Sequence, residues 1–117
     1  ATHPTEGMPH PRVYGTFPRL LQHFVREKGA LTWEQAIHKM TGMPAKKIGL
    51  KDRGIIAENM KADVLILDVA KLHDNADYVA YNALADGIDY VLINGQIAVD
   101  DGEFRNICVG RVLRNQN

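Results

Sequence analysis

Tyr90-Val91-Leu92-Ile93-Asn94-Gly95-Gln96-Ile97-Ala98-Val99 sets two β-rich runs on either side of an Asn-Gly pair. Asn-Gly tolerates positive φ at both central positions of a two-residue loop, which is what a type I′ hairpin requires. A loop of that length fixes a register: Leu92 faces Ile97 and Tyr90 faces Val99 on one side, and Val91 faces Ala98 on the other. Both faces are apolar near the turn, so the hairpin needs cover on both sides. Asp101-Gly102 marks a further turn just beyond it. Upstream, Val64-Leu65-Ile66-Leu67 is an uninterrupted apolar quartet between Asp63 and Asp68, as in a strand covered on both faces, although the same run also fits a helix. The run 109–113 is too short to classify.

Before residue 50 the pattern is helical. Phe17, Leu20, Leu21, Phe24 and Val25 recur at the spacing of one helical stripe, which predicts a helix over 16–29 with Thr16 as its cap, Pro18 in its first turn and Gly29 at its end. The preceding residues 1–14 hold three of the five prolines and show no period, so they read as loop. Thr32-x-x-Gln35 is a capping-box pattern, Leu31 can pack back onto Ala36, and Trp33, Ala36, Ile37 and Met40 form the expected buried face of a second helix. A third short turn is expected over 44–48, stopped by Gly49. The chain thus divides near residue 50 into a helical part and a β part. Two helices followed by a few strands would be unusual as an independent domain, because so small a sheet needs more strands or a helix to cover it. A missing partner segment is suggested.

Composition narrows the function classes. The chain has 117 residues, 45% hydrophobic and 24% charged, and 14 Lys plus Arg balance 14 Asp plus Glu. No bulk positive field exists to hold a nucleic acid, and no apolar run approaches the roughly 20 residues that span a bilayer, so neither nucleic acid nor membrane is an expected partner. With one cysteine, Cys108, and no signal-like amino end, the expected compartment is cytoplasmic.

Within the chain, chemistry is sparse. His3, His10, His23, His38 and His73 form no His-x-His or His-Glu-x-x-His pattern, and no cysteine pair accompanies them, so no metal ligand is assigned here. Cys108 has no histidine placed beside it as a base and reads as a small structural residue. Arg12, in the run His10-Pro11-Arg12-Val13, can present a planar fork to a carboxylate, either of a ligand or of the protein itself.

The stretch Pro9-His10-Pro11-Arg12-Val13-Tyr14-Gly15-Thr16-Phe17-Pro18-Arg19 resembles the closing segment of the D-aminoacylase family, the N-acyl-D-amino-acid deacylases of the metal-dependent amidohydrolase superfamily. The similarity continues through Val25-Arg26-Glu27, Lys39-Met40-Thr41, Asp52-Arg53-Gly54, Met60-Lys61-Ala62-Asp63, the hairpin and Gly110-Arg111-Val112-Leu113-Arg114. It covers almost the whole chain.

The resemblance implies an α+β fragment: the terminal helices of a (β/α)8 barrel followed by the carboxyl-terminal part of a small β-sandwich. Residues 1–50 would be the last barrel loop and closing helices, and 51–117 the share of the sandwich. Its partner is then the amino-terminal remainder of the enzyme, with self-association as the fate of the separate chain. The family hydrolyses N-acyl-D-amino acids to a carboxylate and a D-amino acid with zinc, whose ligands precede this segment, so the chain by itself is expected to be inactive. Family members place Ser-Asp-Gly, with the catalytic aspartate, before the His-Pro-Arg run; this chain offers Thr5-Glu6-Gly7. Glu6 could replace that aspartate, but it lies only a few residues before His10, and the expectation is that the aspartate precedes Ala1. Arg12 is the one residue carried over, as partner of the substrate's α-carboxylate.

Asn59, Cys108-Val109 and the proline-free loop 81–85 depart from the family pattern without touching its chemistry. Two other readings are a free-standing β-sandwich interaction module without catalysis and a fragment of a dihydroorotase-like cyclic-amide hydrolase. The His-Pro-Arg-x-Tyr-Gly-Thr-Phe run argues against the latter.

Overall fold

The computed structural model describes residues 10–114. Helix α1 (Arg12–Arg19) continues into a π-helical segment (Leu20–Glu27), followed by α2 (Trp33–Met40) and α3 (Gly42–Ile48). Four antiparallel strands, β1 (Val64–Leu67), β2 (Ile88–Ile93), β3 (Gln96–Asp100) and β4 (Glu103–Phe104), then form one sheet in the order β1-β2-β3-β4.

The first helix starts earlier than its apolar stripe suggests. Pro11 occupies the cap position, and residues 12–14, read from sequence as loop, are already helical. Thr16 therefore lies inside the helix, and its hydroxyl donates to the carbonyl of Arg12 instead of capping. Pro18 has no N–H to offer the carbonyl four residues back, and the wider π turns follow directly after it, with the amide of Lys28 reaching the carbonyl of His23 at 2.9 Å. Of the expected stripe Leu21 and Val25 are buried, whereas Phe17 and Phe24 stay exposed. Gly29, at φ 59°, ends the segment as expected: the amide of Ala30 bonds back to the carbonyl of Phe24 at 2.9 Å, closing a left-handed cap.

Helix α2 carries the predicted capping box. The amide of Gln35 donates to Thr32 Oγ1 at 3.2 Å, and the amide of Thr32 donates to Gln35 Oε1 at 3.0 Å. Ala36 is fully buried and Trp33 and Met40 pack on the core, but Ile37 faces outward. Gly49, at φ 82°, stops α3 as expected.

Asn94 and Gly95 both have positive φ, 49° and 78°, and Asp101 and Gly102 repeat the arrangement at 49° and 79°. Leu92 pairs with Ile97 as the turn dictates, but the expected pairs Tyr90–Val99 and Val91–Ala98 do not form. Val91 pairs with Val99, leaving Ala98 as an extra residue on β3. A β-bulge there turns Ala98 into the interior, where it is buried, and its carbonyl accepts the amide of Arg105 at 2.8 Å. The apolar quartet 64–67 is the strand β1, yet Leu65 and Ile66 are exposed, so the double cover expected of it is missing among the described residues. Asn59 lies in the left-handed region at φ 66°.

The core joins the two parts. Leu21, Val25, Ala36 and Leu72 form its buried centre, with Leu31, Leu67 and Ile88 against them. Leu72 reaches it because Gly87, at φ 82°, lets two backbones touch: a Cβ at that position would sit 2.5 Å from the Leu72 Cα. No helix among the described residues is long and apolar enough to cross a membrane.

Candidate functional site

Arg12 is the first residue of α1 and is exposed, and its guanidinium takes part in none of the ion pairs found among the described residues. Its setting comes from its neighbours. The amide of Arg12 donates to His10 Nδ1 at 3.2 Å, so that nitrogen carries no proton and the neutral ring holds its proton on Nε2. His10 Nε2 lies 3.1 Å from the hydroxyl of Tyr78 and donates to it, with the two rings edge to face at 5.3 Å. The amides of Val13 and Tyr14 bond to the carbonyls of His10 and Pro11 at 2.9 and 3.1 Å, so the start of the helix is satisfied locally.

Tyr78 is presented by a turn built on Asp77. The Asp77 carboxylate accepts the amides of Ala80 at 2.6 Å and Val79 at 2.7 Å, which holds its pKa below the usual carboxylate range. The base of this loop is tied down by mutual backbone bonds between His73 and Asp86, by Asn75 donating to the Leu84 carbonyl and Asp86 carboxylate, and by the Asp74 amide donating to Gln22 Oε1 at 2.8 Å. Gly15 completes the junction: the Asp74 carboxylate lies where a Cβ would be. Tyr78 was invisible to sequence reasoning, since 68 residues separate it from His10 and only the Asp77 turn marks its loop.

Clefts lie in two separate places among the described residues. One, of about 380 Å³, lies beside the loop and is lined by Arg19, Gln22, His23, Glu27, His73 and Asp74 among others. There the His23 Nδ1 bonds Glu27 Oε2 at 2.8 Å, and that bond, with one from Gln22, lowers the Glu27 pKa. The other, of about 450 Å³, lies at the hairpin turn beside Arg53, Lys61, Asn94 and Arg111. Neither holds a convergent ligand set: no group of three or more His, Cys, Asp or Glu side chains among the described residues could bind a metal ion. The donor set needed for zinc is therefore not found within residues 10–114. Cys108 is exposed; Glu6 and His3 lie outside the described residues.

This combination, consecutive helices leading into a small four-stranded antiparallel sheet, matches a known class. Residues 3–99 match the model of the amidohydrolase family. The chain belongs to the amidohydrolase family. An N-acyl-D-glutamate deacylase from Alcaligenes xylosoxydans xylosoxydans is 44% identical over 92 residues, which cover 79% of this chain and 19% of that enzyme. A solved D-aminoacylase structure superposes with a TM-score of 0.88 at 40% identity, covering 92% of this chain and 23% of the other. The N-acyl-D-glutamate deacylase of Bordetella bronchiseptica, solved with zinc and a phosphonate inhibitor, gives a TM-score of 0.78 at 37% identity, covering 81% and 20%. The chain thus spans about a fifth of the length of the curated relatives it matches. These relatives favour neither the interaction-module nor the cyclic-amide reading.

Proposed function

We propose that this chain is the closing portion of a zinc-dependent enzyme that hydrolyses N-acyl-D-amino acids to a carboxylate and a free D-amino acid. Residues up to 50 close a (β/α)8 barrel and residues from 51 contribute to a β-sandwich, in a cytoplasmic enzyme whose zinc ligands lie in the rest of its sequence. The observation that carries the reading is the 44% identity over 92 residues with an enzyme named for deacylation of N-acyl-D-glutamate. The exposed apolar residues Phe17, Leu65 and Ile66 support it as well, because they mark faces that the remainder of such an enzyme would cover.

In this reading Arg12 binds the α-carboxylate of the substrate. Its exposed fork at the start of a helix, unclaimed by any carboxylate among the described residues, suits a planar anion, and the helix dipole favours the same charge. The test is deacylase activity towards N-acetyl-D-methionine and N-acetyl-D-glutamate, with zinc quantified, for the separate chain and for the product of the complete reading frame that encodes it. Activity and stoichiometric zinc only in the complete product are the expected result. Zinc-dependent turnover by the 117-residue chain alone, or none by either, would overturn the proposal.

A further inference from the structure

We infer that Tyr78 is a positioning residue for Arg12: acting through the His10 imidazole, it sets the first turn of α1 in the orientation from which Arg12 engages a substrate carboxylate. The inference rests on the proposed role of Arg12 and extends it to a loop 68 residues away from His10 in sequence.

The amide of Arg12 is the first link of this relay. In a helix start the first donors usually find water or a capping oxygen, but this one is held by a ring nitrogen, His10 Nδ1, at 3.2 Å. The direction of the Arg12 side chain from its backbone therefore depends on how the imidazole is set. An imidazole held at one nitrogen can still rock about its χ2 torsion, which is a soft, broad well. Here the second nitrogen is held too, by the Tyr78 hydroxyl at 3.1 Å, and the edge-to-face ring contact at 5.3 Å and 78° adds a lateral stop.

The far end of this relay is rigid where it needs to be. Asp77 fixes the turn through two amides, and the base of the loop is anchored to α1 and the π-helical segment at Gly15 and Gln22. Tyr78 itself is 77% exposed and Val79 91% exposed, so the loop tip has little packing of its own. A tyrosine so poorly covered contributes little to a core, and among the described residues the one hydrogen bond of its hydroxyl is to His10. Small losses of placement in a group that binds a charged substrate weaken binding without altering the reacting atoms. Tyr78 therefore acts on KM and on the preference for a carboxylate.

The experiment uses the zinc-loaded product of the complete reading frame, with N-acetyl-D-methionine and its carboxamide, which lacks the α-carboxylate, as paired substrates. Tyr78→Phe removes only the hydroxyl. The expected result is a rise in KM of about three- to tenfold for the acid, as loss of one hydrogen bond gives, with kcat held and the carboxamide unaffected. In a His10→Asn background, where the relay is already cut, Tyr78→Phe should add nothing further. Arg12→Ala separates the two layers of argument. If it raises KM for the acid while Tyr78→Phe leaves KM and the acid-to-carboxamide preference unchanged, the positioning role is overturned and the role of Arg12 stands. If Arg12→Ala leaves KM unchanged, both fall. A Tyr78→Phe enzyme with a lowered melting temperature and lowered kcat but normal KM would show Tyr78 to be a structural residue only, and would also overturn the inference.

Discussion

The carboxylate of Asp63 receives the amide of Asn94, 31 residues away, at 2.8 Å, and so fixes the hairpin turn to the segment that leads into β1. The same carboxylate accepts Arg53 Nε at 2.9 Å, while Arg53 Nη1 binds Asp52 at 3.0 Å. Asn94 returns the contact in two directions: its side-chain amide donates to the Val109 carbonyl at 2.8 Å, and Gly95 beside it donates to the Ala62 carbonyl at 2.9 Å. Asp63 thereby joins the segment at Arg53 to the hairpin turn, and Asn94 carries the junction on to the carboxyl-terminal residue Val109. A structural role for this cluster explains why Asp52-Arg53 and Ala62-Asp63 travel with the hairpin in the resemblance: they form one polar junction.

Asp63→Asn should therefore destabilise the fold, by about 1–2 kcal/mol once solvent screening of a partly exposed carboxylate is allowed for. The pH dependence has a defined sign. The Asn94 amide, and after it Arg53, hold the folded pKa of Asp63 below its ordinary value of 3.8. A depressed folded pKa gives stability that is fully present above 3.8 and is lost as pH falls through the lower folded value. Urea midpoints measured from about pH 5 to about pH 2.5 should fall steeply for the native sequence and less steeply for Asp63→Asn. Equal slopes would remove Asp63 from the acid response.

Gly15→Ala should cost about 1–3 kcal/mol although alanine is the better helix former, because overpacking outweighs a propensity gain of at most about 1 kcal/mol. A Cβ there would lie 2.6 Å from the Asp74 Cγ. Asp74 cannot simply swing away, since its carboxylate accepts the Ala76 amide at 3.0 Å and its own amide is held by Gln22. Thermal unfolding of Gly15→Ala, and of Gly15→Ala combined with Asp74→Ala, distinguishes this from a general effect: the second change should recover much of the loss.

What the sequence disclosed was local chemistry. The Asn94-Gly95 turn, the Thr32–Gln35 box and the stops at Gly29 and Gly49 each depend on residues within a few positions, and each is in place. Register beyond the first pair was not legible, because a bulge at Ala98 is chosen by which residue the interior accepts and not by turn length. The start of α1 was misplaced for a related reason: an imidazole acceptor at His10 allows helix to begin at Arg12, before any apolar period exists. Arg12 itself was picked out by its neighbours in sequence, but its setting by Tyr78 arises from a contact that no local pattern announces.

The Thr32 box gives a prediction of different scale. Thr32→Ala removes the acceptor for the Gln35 amide and leaves the Gln35 side chain to hold the Thr32 amide alone. A loss of about 1 kcal/mol is expected, read as a lower denaturant midpoint with an unchanged slope, and Thr32→Ser should restore most of it. Since α2 bears the fully buried Ala36, fraying at this end reaches the core, so amide exchange of the α2 backbone should quicken in Thr32→Ala more than exchange in β2 and β3.

The two edges of the sheet differ in a way that predicts how the separate chain behaves. The β4 edge is two residues long, Glu103-Phe104, and the neighbouring Arg105 pairs with Asp100, so it is short and charged. The β1 edge is a four-residue apolar run, with Leu65 57% and Ile66 49% exposed, and no strand among the described residues pairs with its outer side. An unpaired apolar edge of this kind associates with another strand. Sedimentation of the 117-residue chain should therefore show concentration-dependent self-association, and Ile66→Lys should shift it towards monomer by placing a charge on that strand. A monomer unaffected by concentration would mean that the β1 edge is already protected within this chain, and the need for a covering segment would lose its support.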